Sequence, residues 1–321
     1  PSTDWWKHLT DTLGEAEVAL HGEAWPSNHE FIGDMMILRI DDAVCQHTKA
    51  IVKAKMQSHP HVRLVMKDRG VQGELRIRDI EPIGCRDGED ILTSDFPPRL
   101  IETRVMVRES GKNILCDPTK AYFSTKLQAE RLETRKLAIE LREKLGRPLR
   151  VCDPFCGVGP ALSTLLTEPE LVGSLLAADL NPDAIEMLLD NLRRWDKREY
   201  PKDPAPITRV YDDRTVGFAD ALKLPEDQSI AGQWDVLLVN IPHRTIEFLP
   251  SLVPLLDRTT PSLVRGRAIV EENGIEEANR AIRQALPPTL EGHTEPSLTI
   301  KRDYSSTLRL CSFEAWISPE S

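Results

Sequence analysis

Four polar residues in the second half of the chain each close an apolar run. Asp153 follows Leu149 and Val151, Asp179 follows the run 175–178, Asp220 lies in FADALKLP, and Asn240 ends WDVLLV. Between the first two, Gly157 and Gly159 open a turn ahead of the helix-like ALSTLL. Glycines let a backbone approach a ligand closely, and an acid at a strand tip accepts hydrogen bonds from ribose hydroxyls. The third small residue of a dinucleotide fingerprint is replaced by Leu162, and no GxxxxGK[ST] loop is present. Asp153 would repel a pyrophosphate but suits an amine and a sulfonium, so the pattern favours S-adenosylmethionine over NAD. The plainer alternative is a pair of glycines that only closes a strand-to-helix turn.

Two of these polar groups carry further readings. Asp220 is placed to accept from an adenine amino group, or else to cap its own turn. Asn240 stands in VNIPHR with Pro242 stiffening the chain behind it. A side-chain amide there both donates and accepts, which is what reading the edge of a planar base requires.

The elements that must position these groups alternate. After Asp179, Asn181 caps a helix with Pro182 at its first position, and Ile185, Leu188, Leu189, Leu192 and Trp195 form its apolar stripe. Strand ITRVYD, the turn FADALKLP, strand WDVLLVN, helix TIEFLPSLVPLLD, strand VRGRAIVEE, helix IEEANRAIRQAL and two closing strands, LTIKRD and LRLCSFEAWI, follow. Such alternation predicts a doubly wound, mostly parallel sheet with helices on both faces and an antiparallel last strand. Ligands then gather at the carboxyl ends of the strands, where Asp153, Asp179, Asp220 and Asn240 should meet.

Ahead of this α/β domain, taken as 119–321, the pattern differs. WWKHLTDTLGEAEVAL reads as one short helix, and 1–30 as an extension or cap. From Phe31 to residue 118 come FIGDMMILRI, the helix candidate DAVCQHTKAIVKAKMQSH, VRLVMK, GELRIRDIEPI and a hairpin about Ser110, Gly111 and Lys112, together a smaller α+β domain. Lys53, Lys55, Lys67 and Arg69 are its candidates for phosphate contact. The helix AYFSTKLQAERLETRKLAIELREKL enters the large domain near Ser124 or Thr125, and its cations, from Lys126 and Arg131 to Arg150, offer a local basic face.

The 321 residues carry a net charge of −10, which argues against nonspecific adhesion to nucleic acid. No apolar run approaches the ~18 residues of a membrane span, and PSTDWWKHL lacks a basic-then-apolar leader, so a soluble, cytoplasmic protein is expected. Six scattered cysteines without CxxC pairs suggest neither a disulfide framework nor zinc, and Cys152 and Cys156 read as packing residues. Eight histidines, dispersed singly, give no metal constellation, so no metal is expected.

Taken together, IGDMMILRI, GELRIRDIEPI, DPTKAYFSTKLQAER, DPFCGVGP, ADLNPDAIEMLLDN and NIPHRTIEFL resemble the archaeal and eukaryotic tRNA guanine-N1 methyltransferases that act at position 37, beside the anticodon, and their wybutosine-pathway relatives. The resemblance covers about 31 to 318, in order and with comparable spacing. It implies a class I methyltransferase fold and S-adenosylmethionine held by Arg131, Asp179 with Leu180, Asp220 with Ala221, and Asn240, beside Asp153, Gly157, Gly159 and Asn181 of the turn and cap. It also implies Glu130 as general base, Arg76 as an aid at the base, catalytic parts for Asn240 and Pro242, and Tyr122 holding the target nucleoside. Three positions depart from the family pattern: Cys156 for an alanine, Ile241 for a leucine, and Lys126 for an arginine, the last putting a point charge where a planar fork would face the substrate.

The expected reaction is methyl transfer to N1 of guanosine 37 in the anticodon loop of tRNA by a monomer. Guanine N1 keeps its proton at neutral pH, so that proton must leave as the bond forms; Glu130 would take it and Arg76 would stabilise charge on O6. The nucleotide must be turned out of its stacked loop, with Tyr122 or Phe123 as a surface for it. Rivals are transfer of the aminocarboxypropyl arm to a tricyclic derivative of the same guanosine, methylation of a wybutosine intermediate, and a noncatalytic RNA-binding protein that retains the cofactor. Glu130 together with N-I-P favours the methyl, and His243 stands where an NPPY enzyme has its aromatic.

Overall fold

The computed structural model describes residues 4–321, and the chain divides into two compact units, Pro1–Thr125 and Lys126–Ser321. In the first, α1 (Trp5–Leu13) and α2 (Glu15–His21) replace the single helix expected, because the chain turns at Gly14 with φ of +86°. Strands β1 (Glu30–Ile32), β2 (Met35–Leu38), β3 (Leu64–Gln72), β4 (Ile77–Asp87) and β5 (Asp90–Leu92) form one sheet in that order. Pairing is antiparallel except between β2 and β3, which α3 (Thr48–Ser58) connects. Residues before Phe31 are part of this core: Trp5, Leu9 and Trp25 join Met36, Ile51, Val52 and Val65 in one buried cluster. The hairpin β6 (Val105–Glu109) and β7 (Lys112–Cys116) turns on Ser110 and Gly111, both at positive φ.

Two expectations about cations in this unit are corrected. Lys55 is wholly buried, with Nζ 3.9 Å above the Trp5 ring and its pKa lowered to about 8 by burial, so it is closed to a phosphate. Arg69 reaches Asp79 at 2.9 Å and Glu81 at 3.3 Å, which spends its charge within the sheet.

The second unit opens with α4 (Gln128–Leu145), which ends at left-handed Gly146. Strands β8 (Leu149–Asp153), β9 (Val172–Asp179), β10 (Thr208–Tyr211), β11 (Arg214–Phe218), β12 (Val236–Val239), β13 (Ser262–Glu271), β14 (Thr299–Asp303) and β15 (Leu308–Ile317) form an eight-stranded sheet, ordered β10-β11-β9-β8-β12-β13-β15-β14. The five strands β11, β9, β8, β12 and β13 are parallel, and β10 and β15 run against their neighbours. Helices α5 (Leu162–Leu166), α6 (Pro182–Asp196), α7 (Thr245–Leu252) and α8 (Ile275–Ala285) connect them. This is the doubly wound fold of class I methyltransferases. The parallel strand expected at ITRVYD is instead an antiparallel edge arm, because Asp212 and Asp213 turn the chain back into Arg214–Phe218.

The expected basic face on α4 is largely spent. Arg131 is buried, Arg135 pairs with Glu168, and Arg147 and Arg150, beyond the helix, grip wholly buried Asp235 at 2.7 and 3.0 Å. Among the described residues no helix is long and apolar enough to cross a membrane.

Candidate active site

Sheet order reverses between β8 and β12: the chain moves outward from β8 through β9 to β11, then returns to β12 and β13 on the other side. A crevice opens at the carboxyl ends of strands at such a switch. Asp153 ends β8 and Asn240 follows β12, so these two face the switch from either side. A pocket there is lined by Glu130, Arg131, Asp153, Asn240, Arg265 and Gly266, among others. Its enclosed part is small, about 30 Å³.

Asp153 is the group without an internal explanation. It is 2% exposed, and its Oδ1 is buried with no hydrogen-bond partner. Burial, with the charge of Asp179 adding to it, raises its pKa to about 7 despite a bond from the Phe155 N–H. A buried carboxylate with an idle oxygen costs the fold free energy unless something cationic meets it.

Asp179, by contrast, is built into the glycine turn. Its Oδ2 accepts the Gly157 N–H at 2.8 Å and Oδ1 the Asn181 N–H at 2.9 Å. Burial raises its pKa against those bonds. Asn191 of α6 holds the same turn by donating to the Val158 carbonyl at 2.8 Å. Gly159, expected to admit a ligand, has a packing reason: a Cβ there would lie 2.5 Å from Leu188 Cδ1 and 3.1 Å from Trp195 Cζ3. Cys152 and Cys156 are buried beside the turn, their thiols raised well above the usual range by burial.

Beyond Asp179, Leu180 is 48% exposed, an apolar side chain open to a flat partner. Asn181 caps α6 by accepting from the Asp183 N–H at 3.0 Å. Asp220 caps the turn Ala221–Glu226 by accepting from Leu222 N–H at 3.0 Å, the plainer of its two expected uses, while Ala221 is buried. Pro242 is pinned by its carbonyl, which accepts the Ile269 N–H at 2.9 Å.

Glu130 is 9% exposed in the first turn of α4, and two cations that the sequence did not reveal hold its carboxylate. Arg265 of β13 donates to Oε2 at 2.9 Å, and Lys301 of β14 pairs with Oε1 at 3.2 Å. Arg265 also reaches Glu133 and Glu314, at 2.8 and 3.0 Å. Lys301, with 27% of its side chain exposed against 7% for Arg265, is the more easily withdrawn. Lys126 lies in the turn Thr125–Leu127 that leads into α4.

Arg76 and Tyr122 belong to the other unit. Arg76 sits at φ +54° in the turn between β3 and β4, where a strand was expected, and its N–H donates to the Gly73 carbonyl at 3.2 Å. Tyr122 is 43% exposed whereas Phe123 is buried, which leaves Tyr122 as the aromatic with an open face.

Among the features named, an orphaned acid at the first strand tip, a second acid bound into a glycine turn, and a switch point between them and Asn240 define a Rossmann-like protein of the class I S-adenosylmethionine-methyltransferase fold. Comparison with known proteins narrows this. The family model described as the TYW2 N-terminal domain matches residues 7–88. The tRNA (guanine(37)-N(1))-methyltransferase Trm5b of Pyrococcus abyssi is 28% identical over 233 residues, 72% of this chain and 57% of that protein, so the chain spans little more than half its length. Among solved structures, that of aTrm5 with tRNALeu superposes with a TM-score of 0.70 at 18% identity, covering 99% of this chain and 79% of the other. P. horikoshii TYW2 in complex with MeSAdo superposes at 0.63 and 16%, covering 97% and 98%. By sequence and by fold the chain is thus similar to Trm5-type tRNA guanine-37-N1 methyltransferases and to TYW2 proteins.

Proposed function

We propose that this chain methylates N1 of guanosine 37 in the anticodon loop of tRNA, using S-adenosylmethionine, as a cytoplasmic monomer. The observation that carries the cofactor is the buried, idle Oδ1 of Asp153 at the switch point. An ammonium beside it would satisfy the orphaned oxygen and draw the carboxyl into its charged form. The residues present fit the rest: Asp179 for ribose hydroxyls, Leu180 for an adenine face, and Asn240 across the switch. When bound, S-adenosylmethionine supplies an electrophilic methyl carbon on a sulfonium.

The chain's own residues must then manage a proton. Glu130 would take the N1 proton of guanine as N1 gains the methyl group, for which bound S-adenosylmethionine would supply the carbon and a neutral thioether as leaving group. Glu130 is clamped by Arg265 and Lys301, so one cation has to yield first; Lys301, the more exposed of the two, is the one to move, releasing Glu133 as it does. Arg76, Tyr122 and Lys126 are the further candidates for contact with the substrate, each within its own unit.

Two observations favour a second reading. The match at residues 7–88 is to the TYW2 N-terminal domain, and two cations on Glu130 suit a site where that acid is structural. On that reading the aminocarboxypropyl arm moves instead. Unmodified tRNA and its tricyclic derivative, each incubated with S-adenosylmethionine labelled separately in the methyl and the carboxypropyl portion, decide between them. Methyl label on unmodified tRNA is expected; label arriving only from the carboxypropyl arm refutes the proposal.

A further inference from the structure

Histidines far apart in the sequence converge in the first unit. Glu17 and His21 lie one turn apart on α2, and His47 ends the short turn Asp42–His47 that leads into α3. His21 Nε2 is 3.1 Å and His47 Nε2 2.8 Å from the same oxygen, Glu17 Oε1. The three ligand-capable atoms lie within 4.8 Å of one another. We propose that Glu17, His21 and His47 form a binding site for a divalent transition metal, zinc by the chemistry of its donors.

Two imidazoles and one carboxylate, with water in the fourth position, make a common zinc donor set. In tetrahedral coordination at ~2.0–2.1 Å, neighbouring donor atoms stand about 3.3 Å apart. The two observed distances to Oε1 need to open by only a few tenths of an ångström. Both rings already present Nε2 to one point, and metal binding asks them only to carry their proton on Nδ1.

The surroundings restrict the rings. Trp25, 2% exposed, packs against both, with centroids 5.4 Å from His21 and 5.6 Å from His47, and its Nε1–H donates to the Val18 carbonyl at 2.8 Å. The side chains of His21 and His47 are 15% and 17% exposed and that of Glu17 is 36%, which leaves an entry on the carboxylate side. A metal here would tie α2 to the segment that launches α3, and so stabilise the unit by mass action.

The test uses the full chain, stripped with EDTA and titrated calorimetrically with Zn²⁺ alone. One equivalent should bind, and His47→Ala and Glu17→Gln should each weaken binding by more than about tenfold. Glu17→Gln keeps the side chain's size, so it reports even if His47→Ala fails to fold. Co²⁺ should quench tryptophan fluorescence at the same stoichiometry, and less so in Trp25→Phe, because that indole touches both ligands. Absence of one-to-one binding, or equal affinity in Glu17→Gln and the parent chain, overturns the site.

Discussion

At the scale of single residues, Asp153 and Glu130 are two buried acids in opposite situations. Asp153 has an idle oxygen and a pKa raised to about 7, while Glu130 is held by Arg265 and Lys301. Because the folded value of Asp153 lies above the unfolded ~3.9, the free protein binds an extra proton between about pH 4 and 7 and loses stability as pH rises through that window. A cationic ligand needs the ionised form, so S-adenosylmethionine affinity should rise between about pH 5.5 and 7.5. Asp153→Asn should abolish that rise, weaken binding by roughly tenfold or more, and stabilise the free protein at pH 8; calorimetry and thermal unfolding across pH read all three. For Glu130→Gln, turnover should fall by about a hundredfold or more while tRNA affinity, measured by filter binding, changes little. An unchanged rate would remove Glu130 from proton transfer.

At the scale of elements, the glycine turn and α6 act as one part. Asp179 and Asn191 hold the turn by hydrogen bonds, and Gly159 lets it sit on Leu188 and Trp195. Gly159→Ala combines a positive φ of +91° with a Cβ pressed on Leu188, so chemical denaturation should show a loss of about 1–3 kcal/mol. Leu188→Ala in the same chain should recover part of the overpacking component. Apolar runs ending in Asp153, Asp179 and Asn240 made the strand tips legible, because a buried parallel strand leaves a continuous hydrophobic signature. Strand Arg214–Phe218 was not legible as such: Thr208–Tyr211 beside it has the stronger β pattern, and only the pairing shows which of the two is the interior strand. Arg265 and Lys301 escaped for another reason. They meet Glu130 from strands well over a hundred positions away, a distance across which local periodicity carries no information. Lys55 read as a surface cation because a lone lysine gives no sign that its stem and ammonium are packed against Trp5.

At the scale of the molecule, the same sheet separates binding from stability. Its carboxyl edge carries the idle acid, and at the start of β12 Asp235 is wholly buried among Arg147 and Arg150, with Arg150 also reaching Asp257 at 2.6 Å. Burial pushes the Asp235 pKa up, and the two guanidinium groups outweigh it, so the folded value lies below the usual one. Its stabilisation is therefore present above about pH 4 and is lost as pH falls through the folded value. Asp235→Asn should cost about 1–3 kcal/mol at pH 7, with a shallower acid limb in an unfolding series, because two part-exposed cations lose their buried partner while Arg150 keeps Asp257. The central claim is the reaction itself. It is tested most directly by mapping, with mass spectrometry, the nucleosides of an unmodified tRNA transcript after incubation with the protein and S-adenosylmethionine. The account predicts 1-methylguanosine at position 37; an unmodified guanosine there, or a methyl group placed elsewhere, would contradict it.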